Sequence, residues 1–78
     1  MTEFEYLLTI ATNKKKKYPH VRFGQALMSA LWDEFPKVYN EITGTEYDCF
    51  YDDTIVEKTL QKLSDMMQKI CQRNLQIH

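Results

Sequence analysis

Apolar positions along this chain recur three or four residues apart in successive blocks, the spacing of helices with one buried face. In the first block Phe4, Leu7, Leu8 and Ala11 recur in this way, flanked by Tyr6 and Ile10, and Thr2 with Glu5 forms a capping box ahead of them. This predicts a helix over residues 3–13. In the second block Val21, Phe23, Leu27, Met28, Ala30, Leu31 and Phe35 spread over more than half the circumference of a helix. A helix that apolar needs cover on at least two sides. Residues 19–35 are therefore the expected central helix, with Pro19 at its first position and Pro36 forcing its end. Val38, Tyr39 and Ile42 then predict a short helix over 36–42, stopped by Gly44 in a left-handed conformation. In the third block Val56, Leu60, Leu63, Met67 and Ile70 recur at four-three spacing behind Thr54 and Glu57, a second capping box. It predicts a helix over 54–73, with Asn74 to His78 fraying.

The pattern gives an all-α fold: one domain over residues 1–78, built as a small bundle of three main helices and one short one. The chain has 78 residues, 44% hydrophobic and 27% charged, with only two Gly and two Pro, which suits one helical domain and little loop. A domain of this size is marginal by itself, and association is a common remedy. The amphipathic C-terminal helix is the expected surface for a homo-oligomer, although its heptad rhythm is too short to assert a coiled coil.

The formal charge of −1 disfavours nucleic acid as a partner. Lys14, Lys15, Lys16 and Lys17 form a local basic run, read as a solvated helix end that complements the helix dipole. Their alternative role is a patch for phosphate or an acidic partner. Cys49 and Cys71 lie in no metal-ligand spacing and are expected as free thiols in a reducing compartment. The opening MTEFEYLL carries acids where a secretory leader would be basic, and no run approaches the ~20 apolar residues of a membrane span. A cytoplasmic protein that does not enter membranes is expected.

Catalytic signatures are missing: there is no glycine-rich phosphate loop, zinc-binding helix or nucleophile elbow. His20 and His78 lie at a helix start and at the C-terminus, and Ser29 and Ser64 fall inside predicted helices. A non-enzymatic protein with no cofactor and no metal is expected. Glu46, Asp48, Asp52 and Asp53 lack the alternating acids, glycine and terminal glutamate of a calcium loop. They read better as caps, Asp48 for a turn begun at Thr45 and Asp52 or Asp53 for the following helix. Tyr47, Phe50 and Tyr51 should pin that loop onto the core. Gly24, inside the central helix, points to close approach by a neighbouring helix backbone. Arg22, Gln25, Ser29 and Asp33 form one row beside Trp32, residue types that include strong interface anchors.

Arg22-Phe23-Gly24-Gln25-Ala26-Leu27, followed by Thr45-Glu46-Tyr47-Asp48-Cys49-Phe50-Tyr51-Asp52-Asp53, resembles a group of short, functionally uncharacterised proteins of bacteria, phages and mobile elements. They share an R-x-G-Q-A helix start and a T-x-x-D-P-F-Y-x-D segment. The similarity covers residues 19–54, with Cys49 standing where the group has proline. Arg22, Gln25, Asp48, Phe50, Tyr51 and Asp52 match its pattern. The resemblance implies one unit in which the loop docks on the start of the central helix, Arg22 pairing with Asp48 or Asp52. It implies no activity.

The expected function is that of a small helical adaptor or inhibitor acting through protein–protein contacts, with Arg22, Gln25, Trp32, Asp48, Tyr51 and Asp52 as candidate binding residues. The alternative is a small-ligand or nucleotide-binding protein using Lys14 to Lys17 and Arg22, at an oligomer boundary.

Overall fold

The computed structural model describes the backbone of residues 2–77 and the side chains of residues 2–67. Four α-helices follow in order: α1 (Glu3–Lys17), α2 (Phe23–Glu34), α3 (Pro36–Ile42) and α4 (Val56–Ile77), with a 3-10 turn at Asp53–Ile55 leading into α4. α1 packs against both α2 and α4, and α3 folds against α2. The result is a small all-α bundle with one core.

α1 starts as the sequence predicts. The Thr2 hydroxyl accepts the Glu5 N–H, and the Glu5 carboxylate accepts the Thr2 N–H. The Thr2 backbone N–H, and secondarily its hydroxyl, hydrogen-bond the Glu5 carboxylate and hold that carboxyl below its ordinary value. The helix runs four residues past the predicted end at Asn13, to Lys17. Lysine is a good helix former, and cations in the last turn favour the exposed carbonyls there.

α2 starts later than predicted, at Phe23 instead of Pro19. Tyr18 to Arg22 form a connection in which the Val21 N–H bonds the Tyr18 carbonyl. Lys15 reaches across from α1 and donates to the carbonyls of Pro19 (2.8 Å) and Val21. These bonds, with the turn at Val21, hold the connection outside the helix. Arg22 becomes the extended N-cap, its N–H accepted by the Gln25 side chain.

Gly24, Ala26, Leu27, Met28, Ala30 and Leu31 of α2 are all buried. At ~100° per residue they span more than half the helix, so α2 is covered on several sides as its sequence demands. The covers differ from the expected ring of helices. α1 and α3 supply part, Leu63 and Met67 of α4 join the same core, and the Thr45–Asp52 loop closes the start of α2. A Cβ built on Gly24 would overlap the Cys49 carbonyl oxygen and lie 2.6 Å from Asp53 Oδ1. The close neighbour predicted at Gly24 is thus a loop backbone and not a helix.

α3 keeps its predicted bounds, with Pro36 in its first turn. Gly44 follows at φ 76°, where only glycine is free of strain. At α4 the cap is the predicted Asp52 and not the Thr54–Glu57 box. Asp52 Oδ1 accepts both the N–H (2.9 Å) and the hydroxyl (2.6 Å) of Thr54, so Asp52 starts the 3-10 turn and Thr54 lies inside it. The helix reaches Ile77, beyond the predicted end at Arg73 and through residues expected to fray. Cys71 and His78 lie outside the residues whose side chains are described. No helix among the described residues is long and apolar enough to cross a membrane.

Candidate functional site

Two places carry the candidate residues, and they lie at opposite ends of α2. Arg22 and Trp32 are ten helical positions apart, about 15 Å along the axis.

The first is the start of α2 with the loop docked on it. Arg22 Nη2 donates to the Phe50 carbonyl at 3.0 Å, and Nη1 lies 3.9 Å from Asp53 Oδ1. Asp53 Oδ1 also accepts the Gly24 N–H at 3.0 Å, satisfying an amide that the first turn of α2 leaves without a helical partner. The loop docks where the resemblance implies, but the carboxylate facing Arg22 is Asp53 and not Asp48 or Asp52. Those two are occupied locally. Asp48 accepts the Gly44 N–H (2.9 Å) and the Phe50 N–H (3.0 Å), tying the end of α3 to the loop. Asp52 caps the turn before α4, and its bonds from Thr54, with a smaller contribution from the Arg22 charge, hold its carboxyl below the ordinary 3.8. Gln25 is spent on the Arg22 cap.

Buried groups anchor the loop from beneath. Thr59 is fully buried and its hydroxyl donates to the Tyr47 carbonyl at 2.6 Å. Cys49 is a buried free thiol directed at the Gly24 carbonyl, and burial raises its pKa. That protonated, shielded thiol is a packing group, not a nucleophile. Tyr47 lies under the ammonium groups of Lys58 and Lys62, each 5.2 Å from its ring centre, and Lys58 also pairs with Glu46. The Lys58 bond holds the Glu46 carboxyl below the ordinary 4.5. Thr59 was not singled out from the sequence, and Asp53 was read only as a cap for the following helix. Threonine inside an apolar helical stripe was the available signal for the first, and four residues of capping options hid the second.

Tyr51 is the exposed part of this unit: its ring meets Phe50 edge-on at 4.8 Å, yet the residue is 83% exposed. Asp52 and Glu46 have folded-state pKa values below their unfolded ones. Their stabilisation is therefore full above the ordinary carboxylate range and is lost as pH falls through the lowered values. Both are solvent-exposed, so the effect is small. Urea midpoints measured at about pH 6 and about pH 3 should fall with acid, and the drop should shrink in a Glu46→Gln, Asp52→Asn double variant. An equal drop in that variant would place the acid sensitivity elsewhere.

The second place is the far end of α2. Trp32 is 61% exposed and meets the half-buried Tyr39 ring of α3 edge-on, centroids 5.0 Å apart. Beside it, Tyr6 meets Phe35 at 6.2 Å and donates to Glu34 at 2.8 Å, a bond that raises the Tyr6 pKa. Asp33 pairs with Lys14 at 2.7 Å. The Phe35–Pro36 break positions this cluster by turning α3 so that Tyr39 supports the indole.

The lysine run does not converge. Lys14 is bound to Asp33, Lys15 to the turn carbonyls, and Lys17 sits over the Tyr18 ring at 5.6 Å. Four consecutive helical positions also splay by ~100° each. Among the described residues no three His, Cys, Asp or Glu side chains gather as a metal site, and the surface depressions there are shallow. Compared with known proteins, the chain matches no family model, no curated protein and no solved structure.

Proposed function

We infer that this protein is a non-enzymatic helical adaptor or inhibitor that binds another protein, with Trp32 and Tyr39 as the central contact. The observation that carries this reading is a large indole left 61% exposed while an aromatic ring from another helix holds it in place. Holding an aromatic rigid lowers the entropy lost on binding, and tryptophan is among the residues that dominate interface energies. Tyr51, with Arg22 beside the docked loop, offers a second contact about 15 Å away along α2. The cytoplasm is the proposed compartment, and the motif resemblance supports a phage or mobile-element setting.

The alternative, a phosphate or nucleotide site at Lys14 to Lys17 and Arg22, has less support. Lys14, Lys15 and Arg22 already bond to groups within the fold, so a phosphate would have to displace those partners.

Retention of host proteins on immobilised wild type and on Trp32→Ala tests the reading. Loss of the indole should weaken a genuine partner at least tenfold, the scale of an interface anchor. Its thermal midpoint should stay near that of wild type, because an exposed ring contributes little to folding. Binding should also resist added salt, unlike phosphate recognition. A retained set that is identical for both proteins, or that vanishes steeply with salt, would sink the proposal.

A further inference from the structure

Resting on the reading of Trp32 and Tyr39 as a partner contact, the geometry points to the class of segment they take: an uncharged, proline-rich stretch of the partner in the polyproline II conformation. The patch around the two rings is free of charge, although 27% of the chain is charged. On a helix the neighbours of a side chain lie three and four positions away. For Trp32 these are Met28 and Ser29, with Phe35 and Pro36 at the break. For Tyr39 they are Phe35, Pro36, Ile42 and Thr43. The two acids that follow Trp32 are both engaged by α1, Asp33 by Lys14 at 2.7 Å and Glu34 by the Tyr6 hydroxyl at 2.8 Å. Lys37 and Glu41 are two positions from Tyr39 on either side, a spacing that puts them on other faces of α3. A charged anchor on the partner therefore finds no free counter-charge beside the indole.

Hydrogen bonding narrows the class further. Among the described residues neither the Trp32 indole N–H nor the Tyr39 hydroxyl is engaged, and neither is a buried orphan. Both donors are thus open to a partner, and the indole can only donate. A helical segment pairs its interior carbonyls within itself and would leave such donors unmet. An extended strand brings N–H groups along with its carbonyls, and this patch has few acceptors for them. Polyproline II leaves every carbonyl without an internal partner, and proline adds no N–H. Its pyrrolidine rings lie against flat aromatic faces, which is how proline-rich segments dock. One turn rises about 9 Å. That is enough to cross both rings, whose centres stand 5.0 Å apart with their planes at 75°.

Trp32 is the only tryptophan of the chain, so its fluorescence reports this patch alone. A random peptide display library panned on the wild-type chain, with Trp32→Ala for counter-selection, should enrich sequences with prolines one polyproline turn apart. A synthetic peptide from that set should shift the tryptophan emission saturably. Alanine in place of its prolines should weaken binding by about tenfold or more, since both ring contacts and the preformed conformation are lost. Tyr39→Phe removes only the hydroxyl. It should weaken the same peptide about fivefold, the worth of one hydrogen bond, with an unchanged thermal midpoint. Trp32-dependent peptides that lack proline, or an affinity untouched by Tyr39→Phe, would overturn the inference and leave Trp32 standing as a contact. A library in which Trp32→Ala retains the same peptides as wild type would sink the partner reading as well.

Discussion

Gly24→Ala is expected to lower the thermal midpoint by on the order of 10 °C, the consequence of about 2 kcal/mol lost in a domain this small. Two effects compete at this position. Alanine gains about 1 kcal/mol over glycine in a helix interior and less in the first turn, where Gly24 lies, so an open site would be modestly stabilised. Here the added methyl would overlap the Cys49 carbonyl oxygen and crowd Asp53 Oδ1. Overpacking costs about 1–3 kcal/mol when the neighbour can shift, and more when it cannot. The Cys49 carbonyl has little room to retreat. It accepts the Asp52 N–H, its own thiol is buried against Gly24, and Thr59 ties down Tyr47 two residues earlier. Steric cost therefore exceeds the propensity gain. The same substitution should also speed amide exchange across Tyr47 to Asp53, because Gly24 is where that loop meets the helix. A midpoint equal to or above wild type would show that the loop does not sit against α2 at this point.

Leu31→Ala should cost about 3–4 kcal/mol, read as a lower urea midpoint with an unchanged slope. Leu31 is fully buried within the core cluster. The whole domain is worth only about 4–12 kcal/mol by the usual scaling with length. One core leucine can therefore consume a large part of its stability, and partial unfolding near body temperature is expected. The next residue makes the control. Trp32 removes a larger side chain, yet its truncation should leave the midpoint nearly unchanged because its surface is already in water. If Leu31→Ala proved as mild as Trp32→Ala, α2 would not be the centre of the core.

These two substitutions mark what was legible. The burial of Leu27 and Leu31 follows from α2 being apolar on more than half its surface, which no arrangement with a wet α2 can satisfy. Capping by Thr2 and Glu5, the break at Pro36 and the stop at Gly44 are equally local, so each is found where the sequence puts it. The start of α2 is not local. Pro19 is as acceptable in a turn as at a helix start, and the choice falls to Lys15, which binds the carbonyls of Pro19 and Val21 from the previous helix. The identity of the carboxylate facing Arg22 was equally hidden. Asp48, Asp52 and Asp53 are chemically alike, and only the path of the loop over Gly24 assigns Asp53 to the helix start and the other two to caps.

By itself the sequence determined that the chain is all helical, with a central helix greasy enough to demand cover and short-range caps at its breaks, because those features depend on neighbours three or four residues away. Tertiary structure decided which groups are spent inside the fold and which are left exposed to solvent. Lys14, Lys15, Arg22, Gln25 and Asp48 look available in the sequence but are bonded internally, whereas Trp32 and Tyr51 are held in place and left exposed. That sorting depends on contacts between residues up to 29 apart, as between Gly24 and Asp53, which no local pattern encodes.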